Sequence, residues 1–330
     1  MRICVLGAGA IGGLLAARLA RSGQDVSLLA RGESLSAIGS EGLKLVEPDG
    51  SMVVATDLVV SDDLSSFGGQ DLVILALKAH QIAAIARRLP ELYHSDTVVM
   101  PLQNGVPWWF FQKFPGPFSG LRLNTLDHDG TIESTVPADR IVASIAYPAA
   151  ERRAPGLVCL IEGDRFPVGE LDGQRSERAA DIAHALTGAG FKSRVLTDIR
   201  AHLWIKAWGN LAFNPISALT GASLEEICRF PATRSLARNM MLEASEIAAK
   251  LGLELRLSVD QRIEGAEKVG NHKTSMLQDV EAGQTLEVEP LIGSFIELGR
   301  ITGSPTPATE SVYALVSLLN SRITAARTGS

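Results

Sequence analysis

A glycine-rich stretch near the start of the chain constrains the fold more than any other feature. In "RICVLGAGAIGGLLAARLARSG", an apolar run at residues 2–6 precedes Gly7, Gly9 and Gly12, which have G-x-G-x-x-G spacing, and a helical pattern follows. A second apolar run, "DVSLLA", occupies residues 25–30. Such runs are typical of parallel strands buried on both faces. The order strand, tight turn, helix, strand predicts a doubly wound α/β sheet of the Rossmann type.

The spacing of the glycines also predicts what the turn binds. Gly7 allows the sharp turn, Gly9 lets a pyrophosphate approach the backbone, and Gly12 lets the helix pack closely on the strand. The helix N-terminus presents unpaired N–H groups and a positive dipole end to the phosphates. We therefore predict that a dinucleotide cofactor binds at Gly7, Ala8, Gly9, Ala10, Ile11 and Gly12. The alternative is a glycine-rich turn that binds no ligand.

The residue after the second strand indicates which dinucleotide fits. Sites that prefer NAD(H) usually have Asp or Glu there, which binds the ribose 2′-hydroxyl. This chain has Ala30 and then Arg31, whose charge and planar donors suit a 2′-phosphate, and Glu33 follows only later. The sequence favours NADP(H) over NAD(H), and the alternative is a solvated loop arginine.

Two further strands, predicted at residues 70–77 and 96–102, are each followed by polar residues. Lys78 follows the first and Asn104 the second. Ligands of doubly wound sheets bind at the carboxyl ends of the strands. Lys78 is therefore a candidate to meet a phosphate or a substrate carboxylate, and Asn104 to reach the nicotinamide ribose or the substrate. The alternative for both is a surface loop residue.

The predicted secondary structure changes from mainly strands to mainly helices after about residue 177. Before it, short strands predicted at 141–147, 156–161 and 166–169 read as an antiparallel extension of the sheet. After it, helical patterning dominates, beginning with residues 198–226. We predict an α/β cofactor domain at residues 1–197 and an all-α domain for substrate binding and dimerisation at residues 198–330.

The first of these helical segments carries an unusual polar stripe. In "WIKAWGNLAFNP", Lys206, Asn210 and Asn214 are four residues apart, so each is displaced by only about 40° around a helix. A lysine on an otherwise apolar helix loses solvation and needs a partner. A partly desolvated lysine whose pKa is lowered can protonate the ketone oxygen of a 2-oxo acid, and the two amides can orient the substrate. The alternative is an interface helix with a paired lysine.

A second constellation lies in "NHKTSMLQDVEAGQTLEVEP". Ser275 is a candidate for binding a substrate carboxylate, and Glu287 for accepting from a substrate hydroxyl or pairing with the lysine. The signal is weak by itself, because Glu281 and Glu289 are nearby acids of the same kind.

Composition excludes several classes of function. The formal net charge is -6, so the chain has no excess of basic residues with which to bind nucleic acid. Three widely spaced cysteines suggest neither disulfides nor a zinc site, and no metal is expected. The same cysteine pattern fits a reducing, cytoplasmic setting. No stretch of about 18 uninterrupted apolar residues occurs after the glycine-rich N-terminal segment, so no membrane span is predicted.

Several linked motifs in one order resemble the ketopantoate reductase (2-dehydropantoate 2-reductase) family. They are "GAGAIGG", "LLAR", "LKAHQ", "QNGV", "KAWGNLAFNP", "TSMLQDVEAGQTLEVE" and "GSPTPATES". The resemblance implies a Rossmann-type NADP-binding domain, an all-helical C-terminal domain like that of 6-phosphogluconate dehydrogenase, and an active site in the cleft between them. It also implies reduction of ketopantoate by NADPH in pantothenate and coenzyme A synthesis.

The resemblance assigns roles to matching positions. Lys206 would be the general acid and Glu287 would bind the terminal hydroxyl of the substrate or the lysine. Asn210 and Asn214 would position the substrate, and Ser275 would hold its carboxylate. The cofactor would contact Asn104, which also meets the substrate, and Glu287; Arg31 and Lys78 would favour the phosphate of NADPH.

The chain departs from the family pattern in two places, so the small-molecule substrate is safest stated as a 2-oxo acid. "RIVASIAYPAAERRAPG" lacks the usual Gly/Thr-rich strand and places Tyr147 where small residues are common, and "PWWFFQKFPGPFSG" adds an aromatic segment after Asn104. Alternatives are a member that reduces another 2-oxo acid, an opine-type dehydrogenase, and a non-catalytic NADP-binding regulator. A homodimer is expected by analogy with relatives of this architecture.

Overall fold

A computed structural model of the chain describes residues 1–328, which form two compact units. The first unit contains Met1–Gln103, Phe111–Leu121 and Asp129–Ile199. The second contains Asn104–Phe110, Arg122–His128 and the chain from Arg200 onward. Two short segments from the first half of the chain therefore belong to the second unit. The assignment of domains to residues 1–197 and 198–330 stays a prediction.

The first unit is built of α-helices and β-strands. Its strands are β1 (Arg2–Leu6), β2 (Asp25–Leu29), β3 (Leu43–Val46), β4 (Met52–Ala55), β5 (Leu58–Ser61), β6 (Leu72–Leu75), β7 (Val98–Pro101), β8 (Val142–Ser144), β9 (Ala149–Ala154), β10 (Leu157–Glu162) and β11 (Val168–Glu170). Its helices are α1 (Ala10–Arg21), α2 (Gly32–Glu41), α3 (Ala79–Ile85), α4 (Thr131–Thr135) and α5 (Glu177–Gly188). Short 3₁₀ segments occupy Leu64–Ser66, Ala86–Leu92, Gly116–Phe118 and Ala138–Arg140.

The main sheet has five parallel strands in the order β5-β2-β1-β6-β7. The central strand β1 pairs Ile3 with Val26 of β2 and with Leu72 of β6. Residues 3–6 of β1 have no exposed surface, which explains why this strand is a continuous apolar run rather than an alternating one. The parallel order around a central strand that ends in a glycine turn confirms the predicted Rossmann-type class.

A second sheet differs from the predicted one. Its order is β4-β3-β10-β9, with β10 parallel to β3 and antiparallel to β9, while β8 and β11 form a separate antiparallel pair. The predicted antiparallel extension is right for β8 and β11, which pair antiparallel beside β7 through a bridge from Ile141 to Val99, and wrong for β10, which belongs to the second sheet. Strands β3, β4, β5 and β9 were not anticipated. Helix α1 packs on this sheet so closely that a Cβ at Gly13 would lie 2.7 Å from Val158. Such pairing depends on residues far apart in the chain, which no local pattern shows.

The second unit is helical. Its helices are α6 (Ile199–Thr220), α7 (Leu224–Arg229), α8 (Pro231–Lys250), α9 (Val259–Lys268), α10 (Ser275–Glu281), α11 (Ser294–Thr302) and α12 (Pro307–Thr328), with a π-helical turn at Glu289–Gly293. Its core includes the tryptophans of α6. Trp208 donates its indole N–H to the carbonyl of Met241 at 2.7 Å, and the ring of Trp204 meets that of Phe295 edge-on at 5.1 Å. The two-domain fold class predicted from sequence is confirmed.

The helical segment predicted at residues 198–226 is divided in two. Helix α6 ends at Thr220, and Gly221 follows with a left-handed φ of 74°. Ser223 then starts α7 through a capping box, in which Ser223 Oγ accepts from the Glu226 N–H and Glu226 accepts from the Ser223 N–H. Among residues 1–328, no helix has the length and apolar character required to cross a membrane. Within the same described range, no group of three or more His, Cys, Asp or Glu side chains could hold a metal ion.

Candidate dinucleotide and active sites

The glycine turn in the first unit has the geometry that its spacing requires. Gly7 has a φ of 114°, and a Cβ there would lie 2.8 Å from the carbonyl oxygen of Ala76. A Cβ at Gly12 would lie 1.9 Å from the carbonyl oxygen of Gly7. A Cβ at Gly9 would meet no atom within 4 Å. The turn is therefore closed at Gly7 and Gly12 and open in front of Gly9, which fits a phosphate group that approaches the backbone at Gly9.

Helix α1 begins directly behind this turn. Gly9 is its N-cap and supplies no side-chain cap, and no acidic residue lies in the first turn of the helix. Ala8, Ala10 and Ile11 are half-buried along the turn. The N–H groups and positive dipole end of a 12-residue helix thus lie beside the open space, which is a suitable arrangement for an anion.

Arg31 lies where the sequence predicts it, at the beginning of α2. It is exposed, has an extended backbone, and makes no side-chain cap with the helix. A second arginine that sequence reasoning missed comes close to the same turn, because Arg152 of β9 donates to the hydroxyl of Ser34 at 3.3 Å. Arg152 and Ser34 are 118 residues apart, and no sequence motif indicated this contact.

Lys78 is half-buried at the N-cap of α3, after the end of β6. Its backbone N–H donates to Gln81 Oε1 at 3.0 Å, so the side chain of Gln81 serves the helix terminus. Lys78, Arg31 and the glycine turn all belong to the first unit.

The second unit brings Lys206 and Asn104 into contact. The ammonium of Lys206 on α6 donates to Asn104 Oδ1 at 2.9 Å, although the two residues are 102 positions apart. Burial lowers the pKa of Lys206 from 10.5 to about 8, and the carboxylate of Glu287 acts in the opposite direction. A lysine with this pKa is largely protonated at neutral pH and gives up its proton more readily than an exposed lysine.

The two asparagines of the stripe have different environments. Asn214 is buried, and its Nδ2 donates to Ser275 Oγ at 3.5 Å. Ser275 is exposed and is the first residue of α10, whose N-cap Thr274 accepts from the N–H of Leu277. Asn210 is half-buried, one helical turn after Lys206. The contacts of Lys206 with Asn104 and of Asn214 with Ser275 are findings of the structure, and the roles of these residues stay predictions.

The aromatic segment after Asn104 is largely core. Trp108 is 4% exposed and Trp109 is 1% exposed, while Phe110 is fully buried and meets the ring of Trp204 at 5.8 Å. In the first unit, Tyr147 is half-buried and has the guanidinium of Arg165 4.5 Å from its ring centroid. The aromatic side chains by which this segment departs from the family pattern are therefore mostly buried and do not add exposed rings.

A parallel sheet whose glycine turn is open in front of Gly9, together with a helical unit that carries a partly buried lysine, is the arrangement of a Rossmann-type dinucleotide-dependent oxidoreductase. Residues 3–107 match the family model described as ketopantoate reductase PanE/ApbA, and residues 198–320 match the model of its C-terminal domain. The chain belongs to the ketopantoate reductase family, whose members are nicotinamide-dinucleotide-dependent reductases.

Similar proteins cover nearly the whole chain. A 2-dehydropantoate 2-reductase of Mesorhizobium japonicum is 47% identical over 319 residues, which cover 96% of this chain and 97% of that protein. A solved structure from Ralstonia solanacearum MolK2 is 36% identical and has a TM-score of 0.93, with 97% of this chain and 98% of that chain covered. The structure of 2-dehydropantoate 2-reductase from Geobacter metallireducens is 27% identical, with a TM-score of 0.84 and coverage of 96% and 99%.

Proposed function

We propose that this protein reduces a 2-oxo acid to a 2-hydroxy acid with NADPH, and that its substrate is 2-dehydropantoate, which becomes (R)-pantoate. The pathway would be pantothenate and coenzyme A synthesis, in the cytoplasm. The observation that carries the proposal is the contact of a lysine of lowered pKa with Asn104, beside Glu287. The 47% identity to a 2-dehydropantoate 2-reductase over 96% of the chain supports the choice of substrate.

In this proposal Lys206 supplies the proton that the reaction needs. Bound NADPH would supply a hydride to the ketone carbon, and negative charge would develop on the ketone oxygen as the C=O double bond becomes a single bond. The Lys206 ammonium donates a hydrogen bond to that oxygen and then transfers its proton, which gives the hydroxyl group. The neutral amine takes a proton from water afterwards. Asn104 Oδ1 orients the ammonium, since it accepts one of its three N–H groups.

The remaining polar groups of the second unit bind the substrate. Ser275 and Asn214 form one polar pair, and we assign the carboxylate of the 2-oxo acid to the exposed Ser275 hydroxyl. Asn210 lies between this pair and Lys206 along α6 and orients the keto acid. Glu287 accepts from the terminal hydroxyl of the substrate, and its charge keeps the lysine protonated.

The direct test is NADPH oxidation with 2-dehydropantoate and with a panel of other 2-oxo acids, with and without added amines. Rapid oxidation with 2-dehydropantoate alone supports the proposal. Oxidation that requires an amine would indicate an opine-type dehydrogenase. NADPH binding without turnover on any 2-oxo acid would contradict an enzymatic role.

NADPH is proposed over NADH because Arg31 is exposed at the beginning of α2. A second arginine, Arg152 of β9, donates to Ser34 in the first turn of that helix. Arg31→Ala is expected to lower kcat/KM for NADPH by about 10- to 100-fold, the range for one charge-assisted hydrogen bond, and to leave NADH almost unaffected. Steady-state kinetics with both cofactors give the ratio. Arg21→Ala, an exposed arginine at the end of α1, is the control. An equal loss with both cofactors would remove Arg31 from the 2′-phosphate site.

The rate of reduction is expected to depend on the protonation of Lys206. Because the pKa of Lys206 is lowered to about 8, kcat/KM for the 2-oxo acid should fall as the pH rises through about 8, tenfold for each further pH unit. The ammonium is the active form, so the loss lies on the alkaline side. Measurement of kcat/KM from pH 6 to pH 10, at about five values per pH unit, checks this. A flat profile across that range would exclude Lys206 as the acid.

We also propose a homodimer that forms through the second unit. Helix α12 exposes two large apolar side chains one turn apart, Leu315 at 58% and Leu318 at 63%. Surface leucines in adjacent turns suit a helix-to-helix contact with a second copy. The mass in solution from light scattering tests it, with Leu318→Glu as the variant expected to give a monomer.

A further inference from the structure

The residue after Asn104 makes an unusually close backbone contact. Gly105 has a left-handed φ of 79°, and a Cβ there would lie 2.0 Å from the carbonyl oxygen and 2.5 Å from the carbonyl carbon of Pro290. The N–H of Val106 donates to the same carbonyl oxygen at 2.9 Å. Neither the conformation nor the space at this position admits a side chain.

Pro290 lies in the π-helical turn at Glu289–Gly293, which precedes α11. Its carbonyl oxygen also accepts from the hydroxyl of Ser294 at 3.0 Å, so two donors besides the helix backbone fix its direction. A π-helical turn is rare and is frequently found at functional sites. Glu287, whose carboxylate acts on the pKa of Lys206, is three residues before Pro290.

We infer that Gly105 is a positioning residue, whose contact with Pro290 holds the Asn104 carboxamide at the ammonium of Lys206. The contact joins two segments that each carry a group acting on that ammonium, Asn104 before Gly105 and Glu287 before Pro290. A side chain at Gly105 must push these backbones apart by more than an ångström, because each neighbouring atom belongs to the main chain. The 2.9 Å bond between Lys206 and Asn104 does not survive such a shift.

This inference rests on the proposed function only for the effect on turnover. A displacement of about 1 Å at a reacting group can lower kcat by about 100-fold, and that is the loss expected for Gly105→Ala. Because Gly105 acts through Asn104, the double variant Asn104→Ala/Gly105→Ala should be no worse than the more severe single variant. Independent effects would instead multiply.

The control is a glycine of the same kind in the first unit. Gly173 has a φ of 76°, and a Cβ there would lie 2.6 Å from the carbonyl oxygen of Thr197. Gly173→Ala is expected to lower the melting temperature as Gly105→Ala does, but to change kcat by less than about threefold, since it acts on stability alone. If Gly105→Ala does not fold, Ser294→Ala removes one donor from the Pro290 carbonyl at a smaller structural cost and should lower kcat several-fold.

A second readout needs no turnover. Labelling of the Lys206 amine with an acid anhydride, followed by mass spectrometry across a pH series, measures the fraction of neutral amine. The pH at which half of the Lys206 amine is neutral should shift in the same direction in Asn104→Ala and in Gly105→Ala. In Gly173→Ala it should not change. An unchanged profile in Gly105→Ala, or losses of kcat that multiply in the double variant, would overturn the positioning role. A wild type with no turnover on any 2-oxo acid would contradict the proposed function, and the labelling would still decide whether Gly105 positions Asn104.

Discussion

Lys206→Met is expected to reduce kcat for the 2-oxo acid by about 100- to 10,000-fold, the range for loss of a positioned general acid. The methionine keeps the apolar stem of the side chain but has no proton to donate, so the oxygen of the ketone must be protonated from water. Measurement of NADPH oxidation gives the loss, and fluorescence titration shows whether NADPH still binds. Lys268→Met, an exposed lysine on α9 of the same unit, is the matched control.

The same variant should be at least as stable as the wild type at neutral pH. The pKa of Lys206 is lower in the folded protein than in the unfolded chain, about 8 against 10.5. Below pH 8 both states are protonated, and the folded state carries the full cost of a buried ammonium; the cost fades as the pH rises from about 8 to 10.5. A melting temperature for Lys206→Met well below that of the wild type at pH 7 would show that the lysine stabilises the fold, and the activity loss would then not be specific.

Two glycine substitutions should separate cofactor binding from stability. Gly9→Ala places its methyl group in open space, so the melting temperature of the protein without cofactor should not change. The methyl group occupies the space through which a pyrophosphate approaches, so NADPH affinity should fall about 10- to 100-fold. Isothermal titration with NADPH measures the affinity of each variant.

Gly12→Ala should lower both the melting temperature and the affinity for NADPH. Its Cβ would lie 1.9 Å from the carbonyl oxygen of Gly7, so α1 must move away from the turn. We expect a melting temperature several degrees lower and NADPH binding too weak to titrate. If Gly9→Ala keeps wild-type affinity, the space in front of Gly9 does not hold the phosphates.

Much of the first unit could be predicted because its signals are local. The turn Gly7–Gly12 and the apolar run of β1 are adjacent in the chain, and a buried parallel strand needs no polar alternation. Strands β3, β4 and β5 were missed because each has only four residues, and β9 because half of its six residues are charged and none is buried. The pairing of all four depends on distant residues. Short strands of this kind lack the periodicity that identifies a segment from its own residues.

The candidate site likewise has features that the sequence predicts and features that only the tertiary structure shows. The helical period alone places Lys206, Asn210 and Asn214 on one stripe of α6, and the spacing of glycines alone specifies a tight turn before a helix. Only the tertiary structure decided that Asn104 meets Lys206 across 102 residues and that Ser275 meets Asn214 across 61. The reason is physical: periodicity determines which side chains share a face, but the partner of a buried polar group is set by packing between segments that are distant in sequence. The lowered pKa of Lys206 belongs to that packing, because desolvation is a property of the folded surroundings and not of the residue.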